Sequence, residues 1–187
     1  MKNTIKYLIL LIIYLVCGVN LQAQNYTFRN VVMSDGLSGL LVNAIYKDSE
    51  GFVWLGTDNC LDRFDGVKVR HYEFRGVDSG RKKRVNCITE TADNQLWVGN
   101  GIGLWRLNRA NGQLERIVPE KIDFAVNTLL PDGDILYIGT EKGLFIQEDG
   151  QLLQVLTDRN MLAACNRIMD LCLNEDKSAL WLATVQG

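Results

Sequence analysis

Few side chains in this sequence could move protons, attack a carbonyl or hold a metal. His71 is the single histidine, so a metal site built on several imidazoles is excluded and a Ser-His-Asp triad would rest on it alone. It sits in the alternating stretch Val67-Lys68-Val69-Arg70-His71-Tyr72, which makes it a strand-surface or turn contact. No GxGxxG, P-loop or HExxH pattern occurs, and Gly101-Ile102-Gly103 belongs to a recurring turn and not to a phosphate cradle. Acid pairs such as Asp48 with Glu50 fall beside turns, where carboxylates cap backbone and stay solvated; nothing marks one pair as a glycosidase dyad. The block Arg81-Lys82-Lys83-Arg84 reads as a solvated loop, with an anionic ligand or a headgroup as the sharper alternative. No catalytic residue, metal or cofactor is expected.

Any such groups must be positioned by a globular chain, since 47% of its 187 residues are hydrophobic and 22% charged. A net charge of −2 gives no pull toward nucleic acid or anionic membrane. Lys2 and Lys6 precede a 13-residue apolar run, Tyr7 to Val19, followed by polar residues and Ala23. Such a run suits a signal peptide over residues 1–23 and is short of the roughly 20 residues that span a bilayer. An acylated Cys17 is the weaker alternative, because Val16 before it is bulky. Past the signal, Cys60, Cys87, Cys165 and Cys172 allow three disulfide pairings, but their irregular spacing favours buried or incidental thiols.

The elements come from a repeat. Val42-Asn43-Ala44-Ile45 recurs as Val85-Asn86-Cys87-Ile88, Val126-Asn127-Thr128-Leu129 and, loosely, Ile168-Met169-Asp170-Leu171. Each precedes an aromatic strand beginning at Trp54, Trp97, Tyr137 or Trp181, at intervals of 40 to 44 residues. Within a unit the apolar period is two, and Asp65-Gly66, Asn111-Gly112, Pro131-Asp132-Gly133 and Asp149-Gly150 mark hairpins. Four short antiparallel strands per unit follow, the blade of an all-β propeller, with repeats at about 42–84, 85–125, 126–167 and 168–187 inside a partial propeller region 24–187. About three and a half blades are present, fewer than the roughly four to eight that close a propeller, so an incomplete propeller is expected.

Gly56, Gly99 and Gly139 follow their aromatics by two residues and share a strand face with them. The expectation is that Trp54, Trp97, Tyr137 and Trp181 are packing residues, each ring filling the notch over a neighbouring blade's glycine. Gly103 and Gly143 hold a turn position that calls for positive φ, where the first blade has Cys60 and hence a changed turn or strain.

The run Asp35-Gly36-Leu37-Ser38, then Val42 to Thr57, then Leu61-Asp62-Arg63-Phe64-Asp65-Gly66, resembles the two-component regulator propeller repeat, and the likeness extends in weakening form over residues 25–187. The resemblance implies a periplasmic sensor with further blades, a β-sandwich, one transmembrane helix and a histidine kinase, often with a response regulator and a DNA-binding domain. It also implies an oligosaccharide or other small-molecule ligand, a homodimeric parent anchored in the inner membrane only through C-terminal parts, and no nucleic-acid contact by this chain.

In a four-stranded meander the second-to-third turns and the blade-to-blade connections share one face. These carry the longer, irregular segments, and recognition usually resides on such loops. Asp35, Asp58, Asn59, Arg75, Arg81, Lys82, Asn100 and Glu141 are the binding candidates by position. A secreted propeller enzyme, such as a lyase or glycosidase, and an adhesion or scaffold protein are the alternatives to a sensor.

Overall fold

A computed structural model describes residues 5–7, 28, 30–77, 83–117, 120–155 and 167–185. The chain divides into two units, 1–30 and 31–187. In the first, residues 5–7 are helical, and the rest of the expected signal peptide lies outside the described residues, as do Arg81, Lys82 and Cys165. The second unit carries every strand described below.

Alternating apolar residues and turn dipeptides give three four-stranded antiparallel meanders. The first comprises β1 (Val42–Lys47), β2 (Val53–Thr57), β3 (Leu61–Phe64) and β4 (Val69–Tyr72). The second is β5 (Val85–Glu90), β6 (Leu96–Asn100), β7 (Gly103–Asn108) and β8 (Gln113–Ile117). The third is β9 (Val126–Asp132), β10 (Ile135–Thr140), β11 (Gly143–Glu148) and β12 (Gln151–Gln154). A fourth, two-stranded sheet pairs β13 (Ile168–Leu173) with β14 (Leu180–Thr184). The tight turn between β11 and β12 places both Asp149 (φ 48°) and Gly150 (φ 74°) at positive φ, as a two-residue hairpin of matching twist requires.

The first strands β1, β5, β9 and β13 neighbour one another in sequence order, a propeller-like arrangement. Each apolar core lies between successive sheets. Trp54, Leu61, Val85, Leu96, Val98 and Trp105 share the first; Trp97, Leu104, Val126, Leu136 and Phe145 the second; Leu144, Ile168 and Leu171 the third.

A bulge interrupts the register at the same place in every first strand, beside Asn43, Asn86, Asn127 and Met169. Bulges re-aim a side chain, and in the second and third sheets they turn the asparagine toward the next sheet. Asn86 Nδ2 donates to the Val126 carbonyl and Asn127 Nδ2 to the Ile168 carbonyl, each at 2.8 Å.

The glycines are packing positions, but not in the way expected. A Cβ on Gly56 would lie 2.8 Å from Val85 Cβ, one on Gly99 3.0 Å from Val126 Cβ, and one on Gly139 2.8 Å from Ile168 Cγ2. The β-branched residue that opens the next repeat, and not a neighbouring ring, fills the notch. Two of the rings are anchored within their own repeats instead: Trp54 Nε1 donates to Asp48 Oδ2 at 2.8 Å and Trp97 Nε1 to Thr91 Oγ1 at 3.2 Å. Trp54 is fully buried, whereas Trp181 is 67% exposed on the last sheet.

Asp48 is likewise not solvated. It is buried and accepts from Phe52 N at 2.8 Å as well as from the Trp54 indole. Arg109 then clasps the turns of the first two sheets, its guanidinium 2.8 Å from Glu50, 2.9 Å from Glu90 and 3.9 Å from Asp48. Those contacts gather the first-to-second and third-to-fourth turns on one face, and the opposite face carries the candidate site.

Candidate functional site

The β2–β3 turn positions Cys60, β3 carries Asp62, and β4 carries His71. Side chains two apart on a strand share a face, and Asp62 pairs directly with His71 in the β3–β4 register. The three therefore converge by backbone geometry. His71 Nδ1 and Asp62 Oδ1 are hydrogen-bonded at 2.7 Å, and Cys60 Sγ donates to the same oxygen at 3.4 Å. The other carboxylate oxygen accepts from Ser38 N at 2.8 Å and Ser38 Oγ at 2.7 Å. A wholly buried charge costs on the order of several kcal/mol unless fully partnered; Asp62, with no exposed surface, has four donors.

The cluster opens into a cleft of about 410 Å³ lined by Ser38, Asn59, Cys60, His71, Glu73, Phe74 and Lys83. His71 and Glu73 also border a second cleft, between β4 and β8, that includes Arg70, Arg75 and Gln113. Polar donors and acceptors on both walls suit a hydroxyl-rich or charged small molecule. The cluster does not have the order of a nucleophilic triad, because the carboxylate stands between the hydroxyl and the imidazole and Ser38 Oγ has no base. Burial pushes the Cys60 thiol up to about 11, with the Asp62 charge adding to the rise, so it is a poor nucleophile at neutral pH. Burial likewise pushes Cys87 up to about 12.

The six positional candidates among the described residues do not form one site. Asn59 lines the first cleft, and its Nδ2 donates to the Ser38 carbonyl at 2.9 Å. Arg75 lines the second. Asp58 lies beside them, with a buried Oδ1 that has no hydrogen-bond partner among the described residues. Asp35 is exposed and folds back to accept from Val32 N at 3.0 Å. Glu141 is exposed on the β10–β11 turn, its Oε1 accepting from Ala125 N at 3.3 Å. Asn100 is fully buried, holding Ile102 N at 3.0 Å and the Trp105 indole at 3.2 Å, so it is a turn brace and no surface contact. Arg81 and Lys82 lie outside the described residues.

Sequence reasoning missed Ser38, Asp62 and Glu73, and it gave His71 no partner. One signal was available: counting eight residues from each repeat's aromatic gives Trp105 and Phe145 in the second and third repeats but Asp62 in the first. The turn at Cys60 is changed and not strained. Gly103 and Gly143 have φ of 146° and 117°, whereas Cys60 avoids positive φ and exchanges bonds with Thr57. Among the described cysteines none is bridged.

Known proteins bear on this geometry. A family model described as "Two component regulator propeller" matches residues 36–59, the segment that runs from Gly36 through Ser38 to Asn59. Histidine kinase P4 of Formosa agariphila is 32% identical over 79 residues, 42% of this chain and 6% of that protein. The extracellular domain of the hybrid two component system BT4673 from B. thetaiotaomicron superposes with a TM-score of 0.66 at 21% identity, over 80% of this chain and 21% of that one. Virginiamycin B lyase from Staphylococcus aureus gives 0.61 at 16% identity, over 76% of this chain and 48% of the lyase. The chain thus spans about a fifth of the sensor-domain chain and under a tenth of the kinase. At these identities the structural likenesses establish the fold alone. Among the described residues no helix is long and apolar enough to cross a membrane. The chain's strand-bearing unit is a propeller-like domain that resembles the extracellular domains of two-component regulators.

Proposed function

We propose that this chain is part of the extracytoplasmic sensor of a hybrid two-component histidine kinase, and that it takes part in recognising an oligosaccharide. One coincidence carries the reading: the stretch matching the regulator propeller family, residues 36–59, supplies Ser38 and Asn59 to the polar cleft. Hydroxyl, amide, carboxylate and ammonium groups gathered in one cleft offer the donors and acceptors that a sugar's hydroxyls need. On this reading the sheets form an unclosed part of a propeller completed by further blades of the same parent, which is exported, membrane-anchored elsewhere and dimeric. Ligand binding on the loop face would be passed on through the rigid blades.

The fold likeness to virginiamycin B lyase favours a second reading, a secreted propeller enzyme. A single experiment separates the two. The full-length protein is incubated with a panel of plant, algal and host oligosaccharides, and both binding and product formation are followed. A sensor binds at least one of them and returns it intact. Failure to bind any, or release of a cleaved product, overturns the sensor reading.

A further inference from the structure

The first repeat departs from its own rule at three positions that meet in space. Where the second repeat has Gly103, Trp105 and Arg116, and the third has Gly143, Phe145 and Gln154, the first has Cys60, Asp62 and His71. In the other two repeats the middle residue is a buried ring, edge-on to Phe74 at 5.0 Å or tilted against Phe124 at 5.9 Å. In the first, that core position holds a buried carboxylate. A staple for Ser38 would account for Asp62, but it requires neither a thiol nor an imidazole on the same oxygen.

We propose that Cys60, Asp62 and His71 form a binding site for a zinc-class divalent cation, with its remaining coordination position open to the cleft. Thiolate, imidazole and carboxylate together are the donor set that suits Zn²⁺, and three protein ligands leave room for one exogenous oxygen. The donor atoms lie within 4.8 Å of one another. Bond lengths to zinc imply edges of about 3.4–3.7 Å in a tetrahedral site, so the 2.7 Å Nδ1–Oδ1 pair must open while nitrogen and sulfur draw together, a movement that falls to the half-exposed His71 side chain. The ion replaces the proton held between His71 Nδ1 and Asp62 Oδ1, the imidazole proton moves to Nε2, and the Cys60 thiol proton is released to solvent. Ser38, bonded through both N and Oγ to the other carboxylate oxygen, fixes Asp62 from behind, as outer partners of metal ligands do. The site does not depend on the sensor reading.

Titration of the full-length protein with Co²⁺, a spectroscopic substitute for Zn²⁺, tests the site. The expected result is one equivalent bound in a tetrahedral spectrum with a sulfur-to-cobalt charge-transfer band, displaced by Zn²⁺. Loss even of an outer partner typically weakens a metal site about 10- to 100-fold, so removal of a ligand itself in His71→Ala should lower Co²⁺ affinity by more than about tenfold, measured on variant protein whose circular dichroism matches the wild type. Cys60→Ser should abolish the charge-transfer band. Absence of stoichiometric binding, or affinity and spectrum unaltered in His71→Ala, overturns the proposal.

Discussion

Asn86 reaches across to the next repeat and holds the backbone carbonyl of Val126 at 2.8 Å. The same bond joins Asn127 to Ile168. The fourth repeat has Met169 at that bulge, which has no donor to offer and is 45% exposed. In the second and third repeats the asparagine is thus a pin between blades, and the bulge is the device that aims it.

Replacing the pin leaves the carbonyl of a fully buried residue without this partner. Asn86→Ala should destabilise the fold by about 1–2 kcal/mol, read as a lower urea midpoint at an unchanged slope. Asn127→Ala should cost a similar amount. The two losses should add, because the bonds lie in different interfaces.

The glycine notch makes a second, sharper test. Gly56→Ala would drive a methyl into Val85, and overpacking of this kind costs about 1–3 kcal/mol. Combining it with Val85→Ala should recover part of the loss, a coupling that equilibrium denaturation of the single and double variants measures. A purely additive pair would mean that the two side chains do not meet.

Arg109 ties the turns of the first two blades on the face opposite the cleft. Arg109→Ala should lower stability by about 1–3 kcal/mol, since it also removes a cation from beside the buried Asp48. The loss should shrink in high salt only in its exposed Glu50 component. Ligand affinity at the cleft should be unaffected.

The raised thiols give a pH signature. Cys60 and Cys87 ionise at about 11 and about 12 in the fold, against 9.0 for a free thiol. The folded state therefore holds protons that the unfolded chain releases. Their contribution is full below pH 9 and falls as pH rises through the folded values. Urea midpoints should decline above pH 9, and alkylation of both thiols at pH 8 should be slow in native protein and fast after unfolding.

The repeat unit, its four strands and its hairpins were legible because each is written locally, in period-two alternation and in Asp-Gly and Asn-Gly dipeptides. The role of the asparagine was not, since its partner is a backbone carbonyl about one repeat away. The cleft was only partly legible. Asn59 and Arg75 could be placed on the loop face from strand order, but Ser38, Asp62 and His71 are joined by sheet register and by a segment that precedes the first strand. Asn100 misled because a polar residue at a turn looks exposed, and here two donors draw it inside.

The most direct test is calorimetric titration of an oligosaccharide that the full-length protein retains intact, comparing wild type with Asn59→Ala and Glu73→Ala. Both residues line the cleft without serving the blade cores. The expected result is at least about a tenfold loss of affinity in each variant, the 1.4 kcal/mol equivalent of one good polar contact. Wild-type affinity in both variants would contradict recognition at this cleft.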